Sequence, residues 1–399
     1  MNLALPTRTR RPGLGEILLL GCLTAFGAIS IDLYIPALPT IAQAFATDTG
    51  HVQLSMSVFF LGMAVGQLIY GPLSDRIGRR PPLLIGCTVY ALASLLCAAA
   101  PSLEWLIAGR LAQALGACAG LVVARAIVRD RYDTVEGARL FSLLTLVLAV
   151  APMLAPSLGG LLLHVSGWRS IFIVLALFGG LLGLAVWRRL EESRSSLTAA
   201  TAAAESPLSS YAALFRNRRL IGFLLAGAFN GAALFTYVAG ASPVFLGHYG
   251  VSTATFGWIF AVNAAGLIAA SQVNRWLLGR YPPARIIAIG SIGSSLGGLL
   301  LVALALTGAG GMAGMMAALF VTLTSYGFVS TNSTALALAQ DPARAGAISA
   351  MIGGASFGFG AVASSTAAAL YDGTPLAMAA VMAAGFAFSS LALFGLARR

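Results

Sequence analysis

Residues 71–81 read GPLSDRIGRRP. One aspartate and three arginines fill the gap between two apolar runs, 52–73 and 82–100. Each run is close to the ~20 residues needed to cross a bilayer. Asp75 and Arg79 stand four apart, the spacing at which an acid and a base meet across one turn. Gly71 and Gly78 leave room for close backbone approach. A charged turn this short, set between two runs this apolar, predicts two membrane helices joined tightly at one surface.

The same alternation covers the rest of the chain. Apolar runs fall at 15–40, 52–73, 82–100, 102–125, 138–163 and 169–188, then at 219–243, 254–277, 284–306, 311–333, 345–370 and 375–397. The 399 residues are 58% hydrophobic and 9% charged, where a soluble domain carries about a quarter charged residues. Alternating strands are missing, which argues against a β-barrel. The expected fold is an all-α membrane protein of twelve transmembrane helices. The polar gap 189–218 separates a first six-helix half, 1–188, from a second, 219–399. GRRPP (78–82) and GRYPP (279–283) follow the second and eighth runs, a faint trace of an internal repeat. At the end of the gap, SPLSSYAALFRNRR begins with Ser206–Pro207, a helix-start pair. It reads as a short surface helix with Tyr211, Leu214 and Phe215 on one face.

A net charge of +11 could suggest nucleic acid, but its distribution argues against that. All 24 basic residues are arginine, and 22 of them fall at every second gap or at the termini. That is the positive-inside pattern, and it places both termini on the cytoplasmic side. The exceptions are Arg169, on the other face, and Arg110, inside a run. Cys22, Cys87, Cys97 and Cys118 all lie in apolar runs and read as packed side chains rather than metal ligands. His51, His164 and His248 map to outer loops. No clustered nucleophiles or metal ligands point to an enzyme.

Two charges lie deep in the apolar runs. Asp32, in SIDLYIPALP (30–39), is the one acid well inside any span. Pro36 and Pro39 follow it and should bend the outer end of that helix. Arg110, in GRLAQALGACAG (109–120), maps to the same depth. An arginine there costs ~2.5–3.5 kcal/mol on insertion scales, so it should face the interior and a partner. Gln113 shares its face, and Gly116 with Gly120 forms a small-residue strip for close helix contact. In VAPMLAPSLGG (150–160), Pro152, Pro156, Gly159 and Gly160 should bend the fifth helix and admit a close neighbour. Tyr34, Gln67, Gln113, Phe229, Asn230, Phe235, Tyr237 and Asn263 are candidates to line a mostly apolar cavity.

GPLSDRIGRRP is similar to the loop signature of the major facilitator superfamily. Taken with SIDLYIPALPTIAQAF, the fifth-helix stretch, GWRSIF (167–172), YAALFRNRRLIGF (211–223) and SQVNRWLLGRYPP (271–283), it resembles the Bcr/CflA (bicyclomycin and chloramphenicol resistance) family of drug:proton antiporters. The resemblance implies that Gly71, Asp75, Arg76, Gly78, Arg79 and Arg80 latch the two halves on the cytoplasmic side. It places Asp75 near the start of the eleventh helix, where Asp341 would cap and Pro342 would occupy the first turn. It also implies that Asp32 and Arg110 serve proton coupling and that the fifth-helix prolines and glycines mark an antiporter.

The expected activity is proton-driven multidrug efflux by alternating access, in a bacterial inner membrane, without a cofactor. The expected partners are protons, drug-like small molecules and lipid, with no nucleic acid, and a monomer is expected to suffice. The rival expectation is a proton-coupled or facilitative transporter of a nutrient or small metabolite, because fold does not set direction.

Overall fold

The computed structural model describes residues 13–132, 134–194, 207–341 and 344–397; within these, the side chains of 134–139, 141, 142, 145, 146, 148–150, 152, 153, 207–210, 345 and 346 lie outside the description. Among the described residues there is no strand. The helices are α1 (Leu14–Asp32), α2 (Leu38–Ala44), α3 (Thr49–Ile77), α4 (Arg80–Ala98), α5 (Leu103–Arg131), α6 (Thr134–Ser166) and α7 (Trp168–Arg189). There follow α8 (Pro207–Phe215), α9 (Arg218–Ser242), α10 (Thr253–Leu278), α11 (Pro283–Thr307), α12 (Gly311–Leu338), α13 (Ala345–Ala369) and α14 (Leu376–Ala392).

Eleven segments of the described residues are long and apolar enough to cross a membrane, α1 and α2 counting as one. The run expected at 138–163 lies in α6, a helix of 33 residues. Local chemistry sets many ends. The side chains of Asp48, Ser102, Asn217 and Ser252 accept backbone N–H bonds at the starts of α3, α5, α9 and α10. Several helices outrun their apolar runs. Helix α5 continues to Arg131, so Arg125 and Arg129 ride on it instead of starting a loop. Cations suit the last turns of a helix, where carbonyls are unsatisfied. The histidines are likewise on helix ends: His51 in the first turn of α3 against Asp48, His164 near the end of α6, and His248 in a π-turn after α9.

The first span breaks where the prolines fall. Helix α1 ends at Asp32, a 3-10 turn covers Ile35–Ala37 and α2 resumes at Leu38. Pro36 and Pro39 occupy opening positions of these two pieces, where no N–H is needed. By contrast α6 runs as continuous helix through Pro152 and Pro156.

Large apolar side chains such as Leu92, Leu177, Leu181, Leu296, Leu299, Val362 and Leu391 stand exposed around the bundle. A soluble surface does not tolerate so many, but a hydrocarbon solvent does. Exposed tryptophans mark both ends: Trp105 and Trp258 near the starts of α5 and α10, Trp187 and Trp276 near the ends of α7 and α10. Such belts sit at membrane–water interfaces.

Helix α1 packs on α5 and α6, α3 on α5, and α4 on α5 and α7. In the second set, α9 packs on α12, α13 and α14, and α11 on α12 and α14. Two extensive helix pairs join the sets, α3 with α13 and α6 with α10, and α9 adds smaller contacts with α3 and the Ile35–Ala37 turn. At the end opposite the termini, Ser57 Oγ lies 2.7 Å from Ser364 Oγ. A Cβ on Gly50 would stand 3.0 Å from the Ala368 carbonyl, and one on Gly160 would stand 3.1 Å from Thr253. Deeper in, Phe60 and Phe235 lie 4.6 Å apart, and Phe235 stacks on Phe357 at 4.6 Å. Gln67 presses against Gly353 so closely that no Cβ fits there. The seam is therefore closed from the end remote from the termini to well past the middle of α3.

This geometry predicts a specific cross-link. With the four native cysteines replaced by alanine, a Ser57→Cys/Ser364→Cys pair should oxidise to a disulfide in membranes. A peptide-mass shift after digestion would detect it, and no cross-link under oxidant would contradict the seam.

Candidate functional site

The loop 71–81 builds a buried ion cluster. Arg79 is fully buried. Its Nη1 donates to Asp75 Oδ1 at 2.5 Å and to Ser74 Oγ at 2.9 Å, and its Nε donates to Asp130 Oδ2 at 2.7 Å. Burial works against the Arg79 charge, but Asp130 and Asp75 outweigh it and hold its ionisation above the ordinary range. A buried charge persists only when paired in this way. The expected Asp75–Arg79 pair is present, but sequence reading missed Asp130, which sits in the run RDR at the end of α5 and looked like part of a basic surface.

It also missed Glu192. This carboxylate accepts backbone N–H bonds from Arg79 at 2.8 Å, Arg80 at 3.1 Å, Ser193 at 3.0 Å and Arg194 at 3.0 Å. Gly78 makes this possible: its φ is +100°, and an added Cβ would meet Glu192 Oε2 at 2.5 Å. Gly71 has no such role, since an added Cβ there meets nothing within 4 Å. Arg80 Nη2 donates to the Trp187 carbonyl at 2.5 Å, and Arg194 donates to the carbonyls of Asp75 and Arg76. The Arg76 side chain takes no part in this cluster.

The loop is thus tied to its own half. Its expected approach to the start of α13 falls on residues 342, 343, 345 and 346, which lie outside the description. Asp75 neighbours Tyr211 of α8, where burial and the Asp75 charge together push the Tyr211 phenol up. Tyr211 and Leu214 pack on the second half, but Phe215 is exposed, so the three do not share one buried face. Asp341 pairs with Arg344 at 3.0 Å, and Pro342 lies outside the described residues.

Asp32 and Arg110 are both buried but do not pair. Asp32 is 4% exposed, and its Oδ2 accepts no hydrogen bond among the described residues. Arg110 is held without a carboxylate. Its Nη1 donates to Gln113 Oε1 at 2.6 Å and to the Ser30 carbonyl at 3.2 Å, and Nη2 reaches Met56 Sδ at 3.6 Å. The guanidinium centre lies 4.1 Å from the Phe59 ring and 4.5 Å from the Tyr34 ring. Two aromatic faces spread its charge in place of an anion. The sequence expectation of an Asp32–Arg110 pair therefore needs correcting: depth in the bundle matched, but direction did not.

The remaining cavity candidates divide. Tyr34 bonds Ser55 at 2.7 Å and Gln113 bonds Ser94 at 2.7 Å, so both belong to packing within the first half rather than to a shared cavity. Asn230 donates to the Tyr326 carbonyl at 3.1 Å, with its Oδ1 unpartnered. Phe229 packs with Phe359 and Phe388. Gln67 and Phe235 lie on the seam together with Phe60 and Phe357, two aromatic residues that no motif singles out. Asn263 Nδ2 donates to the Tyr237 hydroxyl at 2.9 Å. In α6, Gly159 lets the helix approach the Leu33 carbonyl too closely for any Cβ, just past Asp32. Pro156 is buried, and the Pro152 side chain lies outside the described residues.

Eleven membrane-crossing segments among the described residues, a seam between two helix sets and a buried acid define a multi-pass membrane transporter and not an enzyme. Residues 20–365 match the model of the Major Facilitator Superfamily, and the chain belongs to that family. It is 34% identical over 392 residues to an uncharacterized MFS-type transporter, YdgK, of Bacillus subtilis, covering 98% of this chain and 97% of that one. It is 29% identical over 383 residues to a bicyclomycin resistance protein homolog of Haemophilus influenzae, covering 96% of each. It is 33% identical over 280 residues to multidrug resistance protein D of Escherichia coli, covering 68% and 67%. These relatives bear out the likeness to the bicyclomycin-resistance family of the bacterial inner membrane. Among solved structures, a D-xylose-proton symporter shares the fold with a TM-score of 0.73 at 14% identity, over 95% of both chains.

Arg79→Ala should cost about 3–5 kcal/mol by stranding Asp130 and Asp75, read as a loss of monodisperse protein in detergent. Burial works to raise the Glu192 carboxyl, but the four backbone donors outweigh it and hold it below its ordinary 4.5. A carboxylate held low stabilises the fold above its ordinary value and loses that contribution as pH falls through the lowered one. The Tm of the wild type should therefore drop as pH falls below about 4.5, and Glu192→Gln should show a shallower drop.

Proposed function

We propose that this chain exports lipophilic, drug-like small molecules in exchange for protons, and that Asp32 carries the proton. The observation that supports this most is the buried Asp32 oxygen with no partner, while Arg110 Nη1 is bonded to Gln113 and to the Ser30 carbonyl instead. An ionised carboxylate so placed costs several kcal/mol, and a protonated one far less. The seam fits a protonated carrier closed to the outside. The proton leaves toward the cytoplasm, substrate enters from there, and the halves rock to expose the site outward. On the outer side a proton returns to Asp32 and the substrate departs.

The arginine distribution supports cytoplasmic termini, and the aromatic seam of Phe60, Phe235 and Phe357 supports apolar substrates. The names of the bicyclomycin and multidrug resistance relatives favour export of drugs over uptake of a nutrient. The gradient itself is the driving force, so no cofactor is required, and one chain contains both halves of the mechanism.

Asp32→Asn tests the reading. Expressed in an efflux-deficient bacterium, the wild type should raise bicyclomycin resistance in an uncoupler-sensitive way. The variant, present in membranes at equal amount, should lose about tenfold or more of the proton-driven transport in everted vesicles. Undiminished transport by the variant would overturn Asp32 as the carrier.

A further inference from the structure

Asp32 has a neighbour with no part in the antiport cycle described above. The break at residues 33–37 brings the first span against α9 of the other half, which contacts the 3-10 turn just beyond Asp32. From α9, Tyr237 is 3% exposed, with its ring stacked on Phe260 at 5.3 Å. Its hydroxyl oxygen accepts from Asn263 Nδ2 of α10, which is also 3% exposed. A phenol that accepts one hydrogen bond still has its own proton to give. No acceptor for that proton occurs among the described residues, while a free carboxylate oxygen lies across the seam at Asp32. Tyr237 stands five residues before the end of α9 at Ser242, on the helix that packs against the turn just beyond Asp32.

Other charged or titratable groups around Asp32 are already engaged. Tyr90 of α4 bonds Ser30 at 2.6 Å, and Arg110 of α5 bonds the Ser30 carbonyl and Gln113. Tyr34, the next polar residue along the chain, bonds Ser55 of α3. Helix α7 offers Phe172 against Tyr34, and α6 offers Gly159 against the Leu33 backbone, neither of them titratable.

We infer that the Tyr237 hydroxyl, oriented by Asn263, is the positioning residue that receives Asp32 when it gives up its proton, so that the ionised carboxylate is tied by a hydrogen bond to the second half. This rests on Asp32 being the proton site. Deprotonation then does more than create a charge: it makes the carboxyl a charge-assisted acceptor that one half offers and the other half satisfies. The tie keeps the empty, ionised carrier closed to the outside until entering substrate displaces it and lets the first span part from α9. A hydrogen bond to the charged form favours that form, so Tyr237 also sets the pH at which the proton leaves.

The test is a pH titration of purified protein in liposomes by infrared difference spectroscopy, which needs no substrate. In the wild type a carbonyl-stretch band of a protonated carboxyl should disappear as pH rises. Asp32→Asn should lack that band. If the band persists in Asp32→Asn, the proton-site reading fails and this inference with it. If the band is lost in Asp32→Asn, Tyr237→Phe decides the matter, because it keeps the ring stacking and removes only the hydroxyl. The midpoint should move upward by about one pH unit in Tyr237→Phe. Asn263→Ala should move it the same way by a smaller amount, since it disorients the phenol without removing it. A midpoint unchanged in Tyr237→Phe would overturn the inference. Should Tyr237→Phe not survive purification, Asn263→Ala carries the test, and an unchanged midpoint there would overturn it equally. A merely structural role would lower the melting temperature and leave the midpoint in place.

Discussion

A carboxyl group without a partner, held in the apolar middle of the molecule, is the constraint around which the rest is arranged. Helix α1 closes at Asp32, whose carbonyl would need the N–H that Pro36, four residues on, does not have. The break sets the carboxyl at the seam between the halves instead of inside one of them. Arg110, the obvious counter-charge, is held away by Gln113, Met56 and two aromatic faces. The acid is thus left without a counter-charge, the arrangement on which the proposed proton carrier rests.

The second buried ion cluster works the other way. Arg79 has two carboxylates and a hydroxyl, and Glu192 fastens the surrounding backbone. Everything in it is satisfied within one half, so it acts as a rigid corner joining α3, α4, α5 and the segment after α7. Among the described residues its neighbour outside the first half is Tyr211 of the linker helix α8. The seam is closed on the opposite face, at Ser57 and Ser364. A seam shut on the face remote from the termini belongs to one state of an alternating-access cycle.

Much of this was legible in the residues. The helix count, the short surface helix and the Asp75–Arg79 pair follow from hydropathy, capping and the four-residue spacing. Asp130 and Glu192 were not legible, because their partners are 51 and 113 positions away along the chain and both sit among arginines that the positive-inside pattern already explained. The separation of Asp32 from Arg110 could not be read either. Sequence fixes depth along a helix through the 1.5 Å rise, but the side of the helix on which an isolated charge finds its contacts depends on neighbours from three other helices. Tyr34 and Gln113 misled for the same reason. Their polarity suggested a cavity, and their hydroxyl and amide are consumed by Ser55 and Ser94. Tyr237 and Asn263 looked like two separate lining residues and are one hydrogen-bonded unit.

The direction of coupling is the central claim, and flux in reconstituted liposomes measures it most directly. With a pH gradient imposed as the only ion gradient, antiport predicts that bicyclomycin accumulates in the acidic compartment, whichever side that is, and that the accumulation collapses with an uncoupler. Accumulation on the alkaline side would mean symport, and movement indifferent to the gradient would mean facilitation. Either result would contradict the account.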